Sequence, residues 1–326
     1  MQSTTDSVLL HQIDAGTKGR KRGHSYENEL AKRVNGLSMP YTPKGKRTKV
    51  LHIGAPEVVL LDKVLAYLGW DSCDKAEAYA TGRLATSEDN DKEVLVEGQS
   101  IKHAKSDVIL VLQKDCEKKV IGVSVKQCNN RTPTNAQVFF STATAFYTLL
   151  RNNGIKLSEK AHVAMRQFCG DEGFRPLDCM DCSNRKSNPE RFFWEEIDPK
   201  GKAEWESVFR KHQDKVTQLL LQKAYTDDPF PPEIILHKTK RANSIEEQEV
   251  AVFSMDQFLR LSRRYSPFAC SLYRVKKGRY KEPDDIKQHE APRFGVVQMQ
   301  RGGQKQHPTQ LQFNLKAGYF YDLDNL

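Results

Sequence analysis

The residues with the clearest chemical potential are Asp107, Ser124 and Lys126. Side chains alternate faces along a strand, so a strand over Lys119–Lys126 places Ser124 and Lys126 on the same face. A hairpin turn in the middle of Lys114–Lys119 pairs Asp107 directly with Lys126 across the hairpin. Cross-strand neighbours on one face have Cβ atoms roughly 5 Å apart. The sequence therefore predicts that an acid, a hydroxyl and an amine converge on one face of a β-hairpin.

This spacing is that of a PD-(D/E)xK nuclease site, in which an acid follows a turn and an acid-x-Lys lies on the next strand. Ser106-Asp107 stands in place of Pro-Asp, and Ser124-Val125-Lys126 in place of acid-x-Lys. In such sites a divalent metal lowers the pKa of a bound water and stabilises charge on the phosphorane, while the lysine orients the water. The same spacing also arises by chance, as ordinary charges on a hairpin.

Glu27 is a second carboxylate in an unusual position. Apolar residues at helical spacing predict a helix over Tyr26–Leu37, and Glu27 falls on its apolar face. A carboxylate buried without a partner costs several kcal/mol, on the order of a core mutation. Glu27 is therefore expected to be paired, to reach water at the edge of the face, or to bind a metal.

Further blocks lie in a fixed order along most of the chain from about Gly23 onward. They are Gly23-x3-Glu27-x2-Leu30-Ala31-x-Arg33, Lys105-Ser106-Asp107, Val123-x-Val125-Lys126, Arg191-Phe192-Phe193, Phe294-Gly295-Val296-Val297-Gln298-Met299-Gln300-Arg301-Gly302-Gly303 and Leu311-Gln312-Phe313. In these blocks the sequence resembles HinP-type type II restriction endonucleases, which cut double-stranded DNA at GCGC, and it is more distantly similar to the MspI type. The last-but-one block is the most specific.

The resemblance implies a mixed β-sheet core of the restriction-endonuclease type, flanked by helices and followed by a C-terminal DNA-recognition part. It implies Mg2+-dependent cleavage of double-stranded DNA at a short GC-rich palindrome, leaving 5′-phosphate ends, and a cognate DNA methyltransferase as functional partner. Asp107, Glu27 and the Val125 carbonyl are expected to hold the metal, with catalytic roles for Ser124 and Lys126. The expected oligomeric state is a monomer or weak dimer.

Two departures from the family pattern keep other functions open. The family type has a glutamine where this chain has Ser124, and neither residue is the standard carboxylate. Its loop reads Gln-Arg-Lys-Gly-Gly-Asp, whereas Arg301 is followed here directly by Gly302, Gly303 and Gln304. The alternatives are a sequence-specific DNA-binding protein whose nuclease site has decayed and a structure-specific repair nuclease of the same fold.

Arginine and amide side chains suited to base recognition are concentrated near one glycine-rich turn. Arg bridges guanine O6 and N7, and Gln bridges adenine N6 and N7, whereas a plain polar hairpin has the same composition. A second group directly follows the predicted catalytic strand and contacts DNA or forms the turn before Pro133. The candidates are Gln298, Gln300, Arg301, Gln304, Lys305 and Gln312 in the first group, and Asn129, Asn130 and Arg131 in the second.

Charge and composition agree with a polyanionic partner. Lys and Arg number 51 against 42 Asp and Glu, a formal charge of +9, and the pI is near 9.1. No apolar run is long enough for a membrane span. The first thirty residues lack the apolar stretch of a secretory signal, so a bacterial or archaeal cytoplasmic location is expected.

Seven cysteines, an odd number, predict reduced thiols rather than a disulfide framework. Cys169, Cys179 and Cys182 form C-x9-C-x2-C, which either holds a structural zinc with His162 or Cys128 as the fourth ligand or is an irregular loop of free thiols.

Three regions are predicted along the chain: a flexible basic arm at 1–22, a catalytic nuclease core at 23–175 and a DNA-recognition region at 176–326. The division follows the polar stretch Phe174–Pro189. Further helices are expected over Glu57–Leu68, Thr134–Leu150, Lys202–Ala224 and Met255–Arg263, with a strand at Glu233–His237 and a terminal hairpin between Phe294 and Tyr321.

Overall fold

A computed structural model describes residues 23–45, 48–85, 93–128, 132–182, 188–223, 227–239, 248–275, 288–301 and 309–326. The chain divides into two compact units that interleave along the sequence. Within the described residues, the five-stranded unit lies in Gln137–Leu219 and Ser262–Lys316, and the six-stranded unit lies in 23–136, Leu220–Leu261 and Ala317–Leu326. In the described part of the chain, no helix has the length and apolar character of a membrane span.

The described residues form thirteen strands and seven main helices. The strands are β1 (Leu51–Gly54), β2 (Lys75–Ala80), β3 (Val94–Val96), β4 (Gln99–Ile101), β5 (Val108–Lys114), β6 (Glu117–Gln127), β7 (Ala136–Ser141), β8 (Pro232–Lys238), β9 (Gln248–Ser254), β10 (Ala269–Tyr273), β11 (His289–Phe294), β12 (Val297–Arg301) and β13 (Leu311–Leu315). The helices are α1 (residues 23–35), α2 (Pro56–Leu68), α3 (Ala143–Asn152), α4 (Glu159–Cys169), α5 (Pro199–Lys211), α6 (Gln213–Gln222) and α7 (Met255–Arg263).

The six-stranded unit is built on a mixed sheet. Its strand order is β1-β9-β8-β6-β5-β2; β6 and β8 are parallel, whereas the other neighbours are antiparallel. Helices pack against both of its faces. The predicted α/β class, a mixed sheet core flanked by helices, is confirmed.

Hydrophobic periodicity explains how this sheet is covered. Alternate residues of the central strands, such as Leu110 and Val123, join α1 and α2 in one core on one face. On the other face, Ile109 and Val111 pack with β3 and β4, and Phe253 of β9 stacks on Phe258 of α7. Both faces of β5 are therefore buried, which accounts for its continuous apolar run.

The register of the β5–β6 hairpin differs from the prediction by two residues. Lys114 pairs with Glu117 and Val108 with Val123, so the turn contains only two residues. Asp115, the first of them, has a positive φ of 50°, which tight hairpin turns require and Asp tolerates. The pairing of Asp107 with Lys126 was therefore wrong: the ladder ends at Val108 and Val123, and Asp107 N donates to Val123 O at 2.9 Å.

The hairpin meets the neighbouring strand most closely at Gly122. The register between β6 and β8 shifts at Gly122/Val123, and a Cβ on Gly122 would clash with the Ser106 hydroxyl and lie 2.6 Å from the Phe230 and Pro231 carbonyl oxygens. Ser106 in turn donates a hydrogen bond from Oγ to Phe230 O at 2.6 Å. Glycine is needed here because backbone atoms occupy the space of a side chain.

The five-stranded unit contains a sheet with the order β10-β11-β12-β13-β7. The predicted helix over Thr134–Leu150 was partly wrong, since its first part is strand β7. There Ala136, Val138 and Ser141 are buried, which approximates the alternation of a strand. The helix α3 begins only after Thr142, whose side chain accepts a hydrogen bond from Ala145 N.

Other predictions for this unit had mixed outcomes. The helix over Lys202–Ala224 is two helices, α5 and α6, separated at His212. The terminal hairpin is confirmed, since β12 pairs antiparallel with β13. The described residues 174–182 and 188–189 lie within one compact unit. The regions 23–175 and 176–326 remain a prediction about function, and the arm at 1–22 lies outside the described residues.

Replacing Gly122 by alanine should destabilise the protein by about 1–3 kcal/mol, because the added methyl group overlaps backbone carbonyls that cannot move independently. Urea unfolding followed by circular dichroism measures this change. Gly45→Ala is the matched control, since a Cβ at Gly45 meets no heavy atom within 4 Å. Equal unfolding midpoints for the two variants would contradict the packing described here.

Candidate functional site

Asp107 occupies the entry to β5 and is held there by its backbone. Its N–H donates to Val123 O at 2.9 Å, and its carbonyl accepts from Thr81 N at 3.1 Å. Its side chain faces β6, where Oδ2 accepts hydrogen bonds from Val125 N at 2.6 Å and Ser124 Oγ at 3.2 Å. A carboxylate fixed by a strand amide keeps its position with little rotational freedom.

Lys126 completes the cluster. Its Nζ lies 2.8 Å from Ser124 Oγ, 3.1 Å from Val125 O and 3.5 Å from Asp107 Oδ2. The Lys126 and Asp107 side chains are 17% and 28% exposed, so a ligand can reach both. The structure thus brings together Asp107, Ser124 and Lys126 as the sequence predicts, although Lys126 reaches the acid diagonally.

Glu27 is buried on α1, with 7% of its surface exposed. Its Oε2 has no hydrogen-bond partner among the described residues, and it packs so closely on Gly82 that a Cβ there would clash with it. Burial, and then the charge of Asp107, raise the pKa of Glu27 from 4.5 to about 8, while Lys126 opposes the rise. Among the described residues, Lys126 is the cation that acts on this carboxyl group, and it offsets only part of the rise.

The donor set of this cluster suits a hard divalent cation. Glu27 and Asp107 are carboxylates, and the Val125 carbonyl lies beside them on β6; Mg2+ prefers such oxygen ligands and retains several waters. The orphaned Glu27 Oε2 is what a cation would satisfy. No cluster of three or more His, Cys, Asp or Glu side chains that could hold a metal occurs in the described residues, so water and substrate oxygens would supply the remaining ligands.

The two alternatives for Cys169, Cys179 and Cys182, a structural zinc site and a loop of free thiols, are only partly covered by the described residues. Cys169 is buried and Cys179 is partly exposed, both as free thiols, and no metal-binding cluster includes them. The Cys182 side chain lies outside the described part.

Two further residues beside the cluster, Lys105 and His237, were not identified from the sequence as candidate site residues. Burial and the neighbouring Lys126 lower the pKa of Lys105 to about 8. Strand alternation could have identified Lys105, since it lies two residues before Asp107. His237, the β8 neighbour of Lys126, is 1% exposed, and burial lowers its pKa to about 3. No local pattern could have revealed His237, because β8 joins β6 from a distant part of the chain.

In the five-stranded unit, amide side chains line one face of the terminal hairpin. Gln298 pairs with Asn314 and Gln300 with Gln312. Gln300 Nε2 donates to Gln312 Oε1 at 3.3 Å, and Gln312 Nε2 donates to Gln137 Oε1 at 2.9 Å. The structure therefore groups three predicted base-reading glutamines and adds two amides that the sequence analysis missed.

Arg301 lies on the opposite face of this hairpin. It pairs with the buried Leu311. Side chains alternate faces along β12, so Arg301 lies on the same face as the buried Val297 and Met299, and the glutamines lie on the other face. The other predicted DNA contacts, Asn129, Asn130, Arg131, Gln304 and Lys305, lie outside the described residues.

Comparison with known proteins gives a limited result. No protein-family model matches the sequence, and no curated protein matches it. A crystal structure of restriction endonuclease MspI in complex with its cognate DNA is similar to the chain with a TM-score of 0.41 and 9% sequence identity, covering 79% of this chain and 78% of that one. A similarity of this size carries no argument about activity.

In the absence of divalent metal, Glu27 should make stability depend on pH. The folded protein retains a proton on this carboxyl group that the unfolded chain releases, so the free energy of unfolding falls as the pH rises from about 4.5 to about 8. Glu27→Gln removes this loss, on the order of 5 kcal/mol. Urea titrations in EDTA across this pH range measure it; parallel curves for both proteins would contradict the assignment.

Proposed function

We propose that this protein is a Mg2+-dependent endonuclease that hydrolyses both strands of double-stranded DNA. The observation that carries the proposal is the convergence of Asp107, Ser124 and Lys126 beside a buried carboxylate, Glu27, whose Oε2 has no partner among the described residues. Two acids, a lysine and a hydroxyl at these distances suit phosphodiester hydrolysis.

Asp107, Glu27 and the Val125 carbonyl would hold the magnesium ion. When bound, Mg2+ supplies charge neutralisation at the phosphoryl group and lowers the pKa of a coordinated water. The two carboxylates have different constraints: Asp107 is fixed by the Val125 amide, whereas Glu27 is fixed by burial on α1.

Lys126 positions the attacking water in this proposal. Its ammonium group donates to Ser124 Oγ and Val125 O and, at 3.5 Å, to Asp107 Oδ2, and the longest of these contacts is the one that a water or a phosphate oxygen would replace. Ser124 orients Lys126 and donates to Asp107, and so assists through hydrogen bonds. Because these donors are already in place, little reorganisation accompanies the reaction.

The target is proposed to be a short, GC-rich palindrome, GCGC-like by the resemblance, cut to leave 5′-phosphate ends. The amides on β12 and β13 support recognition of base edges in the major groove, and the net charge of +9 supports a DNA partner. The remaining proposals are a cognate methyltransferase as functional partner, a monomer or weak dimer, and a bacterial or archaeal cytoplasmic location.

A DNA-binding protein with a decayed nuclease site is the second candidate. Ser124 favours it, because this position in β6 carries a hydroxyl that is hydrogen-bonded to Asp107 and Lys126 rather than a third carboxylate. With only two acids, the cluster would bind Mg2+ more weakly than a site with three.

Digestion of unmethylated plasmid or phage DNA with Mg2+ should give discrete fragments, and Asp107→Asn should reduce the rate on the order of 10³-fold or more while DNA binding persists. Sequencing the fragment ends gives the target and the cut position. Asp71→Asn is the matched control, since Asp71 is an exposed acid of the same unit that pairs with Lys114 and should leave the rate unchanged.

The products separate the candidates. A smear or branch-dependent cutting would favour the structure-specific nuclease. DNA that is bound but stays intact with Mg2+ and Mn2+, on methylated and unmethylated substrates, would favour the decayed protein. Normal cutting by Asp107→Asn would overturn the site assignment.

A further inference from the structure

Arg191, in the five-stranded unit, forms no ion pair with any described residue, and Glu195 acts on it only from beyond ion-pair distance. No carboxylate oxygen of the described residues lies within 4 Å of its guanidinium, and its one hydrogen bond runs from Nη2 to the Tyr273 hydroxyl at 3.5 Å. Arg191 is partly exposed, and burial lowers the pKa of its guanidinium. A partly desolvated cation with four of its five N–H donors unused is costly unless an anion or water binds it.

Aromatic residues fix the position of this guanidinium. Its central carbon lies 5.3 Å from the centroid of the Phe193 ring. The His289 ring is stacked on Phe193 with the centroids 3.4 Å apart, and Glu195 holds His289 Nδ1 at 2.7 Å. Glu195 therefore binds His289 and the Glu290 N–H rather than Arg191. A guanidinium stacked on an aromatic ring is oriented without losing its charge.

A second arginine adds to the positive charge around Arg191. Both Arg301 and Arg191 act on Cys169 and oppose the rise in its thiol pKa that burial causes. Asp171, the acid in this cluster, is paired with Arg166 at 3.1 Å and also feels the charge of Arg301. Arg191 and Arg301 therefore both lie within electrostatic range of the Cys169 thiol.

We propose that Arg191, with Arg301 beside it, binds a backbone phosphate of double-stranded DNA. The inference rests on the proposed function and deepens it, because it assigns a sequence-independent contact to the five-stranded unit. Arginine suits this ligand because its planar N–H groups match phosphate oxygens two at a time. It also gives Arg301 a different role from Gln298 and Gln300, which lie on the other face of β12.

Fluorescence anisotropy of a labelled DNA duplex in EDTA tests the proposal without cleavage. Arg191→Gln should weaken binding roughly tenfold and reduce the slope of log affinity against log salt by about 0.9. The loss should be the same for duplexes of different sequence. Arg210→Gln is the matched control: Arg210 also lies over an aromatic ring, Phe268, but Glu206 already neutralises it at 3.1 Å.

A folded Arg191→Gln protein with wild-type affinity and salt slope overturns the proposal. If Arg191→Gln does not fold, Arg191→Lys tests the proposal instead, because it keeps the charge but loses the planar guanidinium. Binding that is about threefold weaker with an unchanged salt slope supports bidentate contact with phosphate. Unchanged affinity overturns the proposal. Inorganic phosphate distinguishes a free anion from DNA. Thermal stabilisation by phosphate that requires Arg191, together with unaltered DNA binding in Arg191→Gln, would assign the site to a free anion and overturn the DNA contact.

The same titrations separate this inference from the proposed function. If the wild-type protein binds no DNA duplex, both the phosphate-site proposal and the nuclease proposal are wrong. Wild-type binding that is weakened at Arg191, in a protein that never cuts DNA, ends the nuclease proposal and leaves the phosphate site intact.

Discussion

The candidate site depends on one oxygen, Asp107 Oδ2, which accepts from the Val125 amide, the Ser124 hydroxyl and, at longer range, the Lys126 ammonium. The amide is the decisive donor, because its position is fixed by the backbone of β6. Any change in how β5 and β6 pair would move that amide away from the acid. The two-residue turn after Lys114 and the close packing at Gly122 therefore determine the chemistry as well as the fold.

This dependence explains why the sequence predicted the cluster despite a wrong register. The assumed turn was two residues too long, and a shift of two residues preserves which face a side chain occupies. Ser124 and Lys126 were therefore correctly predicted to lie on the same face of the hairpin as Asp107. The residue predicted to lie directly across from Asp107 was wrong. A shift of one residue would have placed them on the opposite face. Alternation within a strand is a local property, whereas register depends on the turn, which explains the difference in accuracy.

Features that arise from distant parts of the chain were beyond local patterns. The helical spacing placed Glu27 on the apolar face of α1 but could not tell whether it would find a partner, because Gly82 packs against it from another segment. His237 reaches Lys126 only through the parallel pairing of β6 and β8. The segment before Thr142 combines strand alternation with apolar residues at helical spacing, so periodicity alone did not locate the start of α3. The two units interleave along the chain, which no linear division can represent.

The two groups proposed to bind ligands, Glu27 and Arg191, differ from the ion pairs that maintain the fold, because neither forms an ion pair with a described residue. Lys114 with Asp71 and Arg210 with Glu206 neutralise each other and need nothing further. Glu27 is a buried acid whose Oε2 lacks a partner among the described residues, and burial and the charge of Asp107 raise its pKa. Arg191 is the reverse case, a fixed cation held by neutral groups. A protein that binds a metal ion and a polyanion needs both kinds of group, because a site neutralised in advance would have to break an existing pair before it could bind its ligand.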